Sequence, residues 1–308
     1  MTIRVPGKAF LFGEYAVLFG APAAVMAIRR HVRVTPAPAG TRMAPLVLAG
    51  RRQALAFLGR SEDLAPWVAD SSGFEDARGK LGLGSSSAVA VGAVASVFVE
   101  AGLDLRDPAI RRQIRTLARA VHDRHQGQPG SGADVSAAVH GGRLIHRRDA
   151  PEPLPWTPPQ GLEVRFARCD RPASTADRIE VLHRVRAQAP DRVNGPLDRA
   201  RDLAEALARE SRDLGAFLRS AEDFTGALMD LGTALDQPML GLPDARLREA
   251  VQRRGGVLKP SGAGGGDLLV AFLPAPVAPL EWRRLVWESG LQPLDLSLDE
   301  TGVFLEGA

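Results

Sequence analysis

Cys169 is the one cysteine in 308 residues, so no intrachain disulfide can form and no thiolate cluster can hold a metal. A reducing compartment, the cytoplasm, fits that usage. Charge of one sign is not in excess: 39 Lys and Arg face 36 Asp and Glu, a formal net charge of +3. Aromatic residues make up 5% of the chain and do not interleave with a basic patch, which argues against nucleic acid as a partner. Acidic small substrates are the better match. The longest apolar run, from Ala88 to Val99, is glycine-broken and too short to cross a bilayer. The opening Met1-Thr2-Ile3-Arg4 lacks the charged-then-apolar pattern of a signal peptide. A soluble protein, free of any membrane, is expected. The six histidines show no metal spacing; His122 and His125 lie three apart on an expected helix and read as solvated or capping residues. No Walker-type Gly-x-x-x-x-Gly-Lys-Ser/Thr occurs, and no glycine triplet opens a Rossmann unit.

The length allows two domains that share a cleft. Short β-type runs at 3–5, 9–12, 16–18, 23–28 and 32–35 alternate with turns. Residues 50–80 are polar and weakly patterned, with Ser71-Ser72-Gly73 as a loop near the cleft. Helices are expected at about 85–102, 108–126 and 131–140, then a strand at 143–147. Five prolines between 151 and 159 mark a boundary, giving domains 1–155 and 156–308. The second half reads as a strand at 162–168 and helices near 174–188, 195–219, 221–234 and 244–254. Strands at 256–259 and 267–273, a helix at 279–289, and strands at 292–297 and 302–306 follow. The fold class is α+β.

Gly82-Leu83-Gly84-Ser85-Ser86-Ser87 runs straight into the apolar stretch, so a glycine-rich loop opens a long buried helix. The first amides of a helix lack carbonyl partners and sit at the positive end of its dipole, and glycines admit a phosphate close to the backbone. An ordinary serine-capped helix satisfies the same letters. Lys8, between the turn Pro6-Gly7 and a strand, supplies a point charge suited to a transferring phosphoryl group, or is a plain surface lysine. Gly130-Ser131-Gly132-Ala133 delivers Asp134 to the first turn of a short helix, as cap or as a carboxylate aimed at an acceptor. Ser261-Gly262-Ala263-Gly264-Gly265-Gly266 packs four glycines into five residues. That costs much backbone entropy and suggests close approach to a ligand. Trp67 is either an adenine platform or core, and Cys169 a small hydrophobe.

Pro6-Gly7-Lys8 with Gly13-Glu14-Tyr15, then residues 82–87, then residues 261–266, resemble the three signature motifs of the GHMP superfamily: galactokinase, homoserine kinase, mevalonate kinase and phosphomevalonate kinase. The motifs span most of the chain in the family's order. Gly13-Glu14-Tyr15-Ala16-Val17-Leu18, Asp134 followed by Ala137-Ala138-Val139-His140-Gly141-Gly142, and Lys259-Pro260-Ser261 through Asp267 look like the phosphomevalonate kinase branch. Ser174-Thr175 is similar to the pair that lies against the acceptor there. Two departures stand out: Ala176-Asp177 replaces a basic residue after that pair, and the chain is short.

The resemblance implies an N-terminal domain with a ribosomal-protein-like left-handed βαβ unit, a ferredoxin-like C-terminal domain, and ATP between them. It implies ATP and magnesium as co-substrate and cofactor, a small-molecule acceptor, and a monomer or homodimer. Lys8 and Asp134 would flank the transferring group. Lys80 and Gly82, Leu83, Gly84, Ser85, Ser86 and Ser87 would bind ATP. Ser131, Gly132, Ser174, Thr175, Ser261, Gly262, Ala263, Gly264 and Gly265 would hold phosphate and acceptor, and Ser86 and Asp123 magnesium. Arg143, Arg147, Arg171 and Arg178 are candidates for an acceptor phosphate. Mevalonate kinase is the nearest rival, a diphosphomevalonate decarboxylase typically lacks the lysine, and a ligand sensor would have lost a charged residue.

Overall fold

The computed structural model describes residues 1–60, 65–169, 175–210 and 212–307. Strand β1, Ile3–Phe12, and strand β2, Ala23–Pro36, form a long antiparallel pair. The expected interruption at Pro6-Gly7 is instead a register shift within a continuous β1, and a second shift falls between Phe10 and Phe12. Bulges absorb the residue that cannot donate and bend the strand. Residues 16–18, expected as a strand, belong to a 3-10 turn, Ala16–Phe19, with Ala16, Val17 and Leu18 buried. Gly13 precedes it at φ +91°, where an added Cβ would lie 2.3 Å from the Pro22 carbonyl oxygen. That geometry excludes every other residue.

Helix α1, Pro45–Phe57, falls largely within a stretch without apparent pattern. The reason is Arg51, which occupies the buried face at 1% exposure. It donates to Ser96 Oγ at 2.6 Å and pairs with Glu100 at 3.0 Å. Its guanidinium lies 5.4 Å from the ring of Trp67, which in turn donates to Glu100 Oε1 at 2.6 Å. Trp67 is core. A buried arginine whose terminal nitrogens are paired looks polar to any periodicity. Strand β3, Trp67–Asp70, pairs with β2, and the two short strands β4, Glu75–Asp76, and β5, Gly79–Lys80, pair with each other.

Helix α2, Ser85–Glu100, is apolar all round because it is surrounded by α1, by the first sheet, by α3, Pro108–Gln126, and by α4, Ala133–His140. Gly92 lets it approach closely: an added Cβ would stand 2.5 Å from Val34 Cγ2. Asp107 caps α3 by accepting from Ala109 N at 2.6 Å. Strand β6, Arg143–His146, and strand β7, Leu154–Pro155, complete this side of the first sheet.

Strand β8, Leu162–Arg168, opens the second sheet and is followed by α5, Thr175–Gln188, α6, Pro190–Arg209, and α7, Leu214–Ala234. The helix expected at 195–219 starts earlier, carries Pro196 inside it, and ends before a new N-cap at Asp213, which accepts from Ala216 N at 2.9 Å. Then come α8, Leu242–Gln252, β9, Val257–Pro260, β10, Leu268–Pro274, α9, Pro279–Glu288, and β11, Gln292–Leu294. The sheet order is β11-β8-β10-β9, the antiparallel 4-1-3-2 order of a ferredoxin-like unit. Strand β12, Phe304–Leu305, pairs with β1. A cut at 155/156 thus leaves the second sheet whole but places one strand of the first sheet in the second half.

Candidate active site

A cavity opens where the two halves meet, lined by β1, the loop before α2, α3, the start of α4, α5 and the glycine turn between β9 and β10. Lys8 enters it from β1. Its backbone N–H donates to Leu83 O at 2.9 Å and its Nζ to Gly82 O at 3.0 Å, so the strand carries the loop. Desolvation lowers the Lys8 pKa, and Asp134, Asp267 and Glu14 oppose that loss. Asp134 stands in the first turn of α4. Burial alone would raise its pKa, but His122, Lys8, the Val135 N–H at 2.9 Å and Ser87 outweigh it and hold the carboxyl below its usual range. A cation and a carboxylate therefore face one space.

Gly82 at φ +70° and Gly84 at φ +78° shape the loop, with Gly84 as the N-cap of α2. Ser85 and Ser86 line the cavity. Ser87 is buried and donates to Gly84 O at 2.8 Å, and Leu83 is buried beneath. The N-terminal amides of α2 and its dipole point at the Lys8 side, a site fit for an anion. Ser131 also lines the cavity, while Gly132 is the αL N-cap that turns the chain into α4.

Several expected residues are elsewhere. Lys80 is exposed on β5 opposite Glu75 and does not line the cavity. Asp123 accepts from Gly130 N at 2.9 Å and lies 3.8 Å from Arg119, so it braces the loop from outside instead of facing the phosphate site. Ser261 donates its hydroxyl to Phe10 O at 2.9 Å and is buried. Gly262 and Ala263 line the cavity; Gly264 and Gly265 sit behind, against Met239 and Arg178. Thr175 lines it from the start of α5, whereas Ser174 and Arg171 lie outside the described residues. Arg147 is paired with Glu205 at 2.7 Å, Arg143 sits on β6, and Arg178 reaches the Ala263 carbonyl at 3.4 Å.

Other residues emerge only from the fold. His122 lines the cavity with its ring between Ser86 and Asp134. This corrects the expectation of a solvated or capping ring: His122 is buried, and the signal that could have found it is its place one turn beyond Ala118 on the buried stripe of α3. Glu14 pairs with Lys259, both buried, and the other oxygen of Glu14 has no hydrogen-bond partner among the described residues. Tyr15 and Asp267 line the cavity at φ +59° and +57°, strained values for non-glycine residues, and Tyr15 Oη donates to Ala263 O at 2.6 Å. Asp267 would meet a Cβ on Gly82 at 2.6 Å, so the two glycine-rich turns touch.

A family model described as the GHMP kinases N terminal domain matches residues 75–142. The phosphomevalonate kinase of Streptomyces sp. strain CL190 is 31% identical, covering 96% of this chain and 96% of that protein. The chain belongs to the GHMP kinase family. The mevalonate kinase of Pyrococcus horikoshii is 26% identical over 87% of each chain. The structure of Streptococcus pneumoniae phosphomevalonate kinase, in complex with phosphomevalonate and AMPPNP, superposes with a TM-score of 0.82 at 18% identity, covering 97% of this chain and 99% of that one. This GHMP kinase thus has the family's two-domain α+β fold and is a phosphotransferase of the mevalonate-pathway group. Among the described residues no helix is long and apolar enough to cross a membrane.

Proposed function

We propose that this GHMP kinase transfers the γ-phosphoryl group of ATP to (R)-5-phosphomevalonate, giving 5-diphosphomevalonate and ADP. The observation that carries the reading is the meeting of Lys8 and Asp134 in front of the N-terminus of α2. Relatives named for this activity and for mevalonate phosphorylation support it. The domain division at 155/156 and a cytoplasmic location belong to the same reading.

In such a transfer an acceptor oxygen forms a bond to the γ-phosphorus as the bond to the β–γ bridging oxygen breaks, and the electron pair leaves with ADP. Charge spreads over the equatorial oxygens in the transition state, so positioning and electrostatics supply most of the acceleration. Lys8 meets that charge, and the α2 amides hold the phosphates. A phosphate acceptor is largely deprotonated at neutral pH, so Asp134 orients Lys8 and acceptor more than it removes a proton. Magnesium would neutralise phosphate charge when bound with the nucleotide. The residues fit a cation carried mainly by phosphate oxygens: Ser86 offers a hydroxyl at the cavity, and no cluster of three His, Cys, Asp or Glu gathers among the described residues.

ADP release is measured with magnesium-ATP and mevalonate, phosphomevalonate or diphosphomevalonate in parallel. Turnover with phosphomevalonate alone, reduced at least about 100-fold in Lys8→Met and less in Asp134→Asn, is expected. Turnover with mevalonate instead would support the reading that the mevalonate kinase relatives favour, and there Asp134→Asn should cost more, since an alcohol must lose its proton.

A further inference from the structure

His122 is 3% exposed, and both of its ring nitrogens face polar groups of the cavity. Nε2 lies 2.9 Å from Ser86 Oγ and 3.1 Å from Gln126 Nε2; Nδ1 lies 3.7 Å from Asp134 Oδ2. A ring held only by packing has no need of this alignment. Asp134 is a carboxylate and only accepts, so the ring nitrogen that faces it, Nδ1, carries the hydrogen and Nε2 is the acceptor. A neutral ring that accepts at Nε2 carries its proton on Nδ1, on the side of Asp134. Ser86, the nearer group at 2.9 Å, then donates its hydroxyl hydrogen into the one lone pair of Nε2. Its oxygen lone pairs are left for whatever enters the cavity.

We propose that His122 is a positioning residue for phosphoryl transfer, joining Ser86 of the phosphate loop to Asp134 of the acceptor side. This rests on the kinase reading above and deepens it. Without the ring, the Ser86 hydroxyl is free to rotate its hydrogen into the cavity, and Asp134 loses the N–H beside it. Misplacement of groups that must align in the transition state lowers turnover more than binding. Ser86 and Asp134 sit on different helices, so one imidazole fixes the separation between the nucleotide side and the acceptor side.

The test uses the full chain and the acceptor that the wild type turns over. Glutamine at 122 places a polar atom near the Nε2 position, and asparagine one near the Nδ1 position, so the two variants separate the Ser86 and Asp134 contacts. His122→Ala should lower kcat about 10- to 100-fold while KM changes less than about threefold. His122→Gln should recover most of the loss, His122→Asn less, and in a Ser86→Ala background the loss from His122→Ala should shrink to a few-fold at most. Melting curves accompany each variant. The ring nitrogens of His122 in the 15N-labelled wild type should show the Nδ1–H tautomer in the absence of any ligand. Full multiplicative loss in the Ser86→Ala background, or a loss of melting temperature with kcat intact, would overturn the proposal. So would an Nε2–H tautomer. If the wild type turns over none of the acceptors, the kinase reading fails, and the ring spectrum still decides the hydrogen-bonding claim on its own.

Discussion

Glu14 and Lys259 stand 245 residues apart in sequence and meet with side chains 2% and 0% exposed, the deepest charge pair at the junction of the two halves. Lys259 Nζ also donates to Pro260 O at 2.6 Å, and the Gly262 N–H approaches Glu14 Oε1 at 3.4 Å. Desolvation lowers the Lys259 pKa, and Glu14 opposes it. Coulombic gain and desolvation nearly cancel in such a pair, but deleting one partner strands the other charge in a dry interior. Lys259→Met should therefore destabilise the fold by about 3–5 kcal/mol in urea titrations. Glu14→Gln combined with Lys259→Met should recover at least half of that. A single variant that loses under about 1 kcal/mol would show that water reaches the pair and that it does not join the halves. The strained backbone of Tyr15, next in sequence to Glu14, is held by its hydroxyl on Ala263 O at 2.6 Å. Pairing and strain thus act on the same turn, the one that faces Lys8.

Two glycines of similar backbone shape separate conformation from contact at the element scale. Gly102, just past α2, has φ +75° and open space where a Cβ would go; Gly82 has φ +70° and Asp267 Cβ at 2.6 Å. Each alanine costs about 1–2 kcal/mol of left-handed backbone strain. Only Gly82→Ala also displaces Asp267 and the loop that carries the Lys8 contact. Gly102→Ala should lose melting temperature with kcat unchanged, whereas Gly82→Ala should lose kcat by tenfold or more, about 1.4 kcal/mol in the barrier. Equal kcat in the two would mean that the turns move independently. Elements with a one-sided pattern, such as α3 and β8, were legible to within a residue, because burial alone decides their periodicity. Helix α1 was hidden by Arg51, and the 3-10 turn at Ala16–Phe19 by apolar residues that fit a strand equally well. That Lys8, Gly82, Gly84, Ser85, Ser86, Ser131 and Asp134 meet around one cavity follows from local sequence, since each lies in or beside a glycine turn at the start of a helix or in the strand that carries that turn. The Glu14 pairing and the strain at Asp267 were not legible, since they exist only after distant segments meet. Asp123 was misplaced for a similar reason: its carboxylate is taken up by Gly130 N, a contact that depends on how the loop folds back.

At the scale of the whole molecule, the end of the chain returns to buttress the helix that carries Asp134. Asp299 accepts from Thr301 N at 2.9 Å and Gly302 N at 3.0 Å, and pairs with His31 at 2.8 Å. Gly302 packs so tightly on α4 that an added Cβ would lie 2.3 Å from Val139 O. On the other side His146, 1% exposed, bonds Ser131 O at 2.9 Å and Ser136 Oγ at 3.0 Å. A carbonyl only accepts, so Nε2 donates and Nδ1 accepts, and the neutral ring is satisfied. Burial pushes the His146 pKa down to about 4, and does the same to His140 at the end of α4. Because the unfolded chain titrates near 6.5, it binds protons that the folded chain refuses at any pH between about 4 and 6.5. Each ring therefore contributes stability that is whole above pH 6.5 and is lost as the pH falls toward 4. By pH 5 the loss is about 2 kcal/mol per ring. The unfolding free energy of the wild type from urea titration should fall between pH 7.5 and pH 5, and that of His146→Gln, which cannot take up that proton, should fall by about 2 kcal/mol less. Parallel decline in both chains would place the acid sensitivity in groups other than His146.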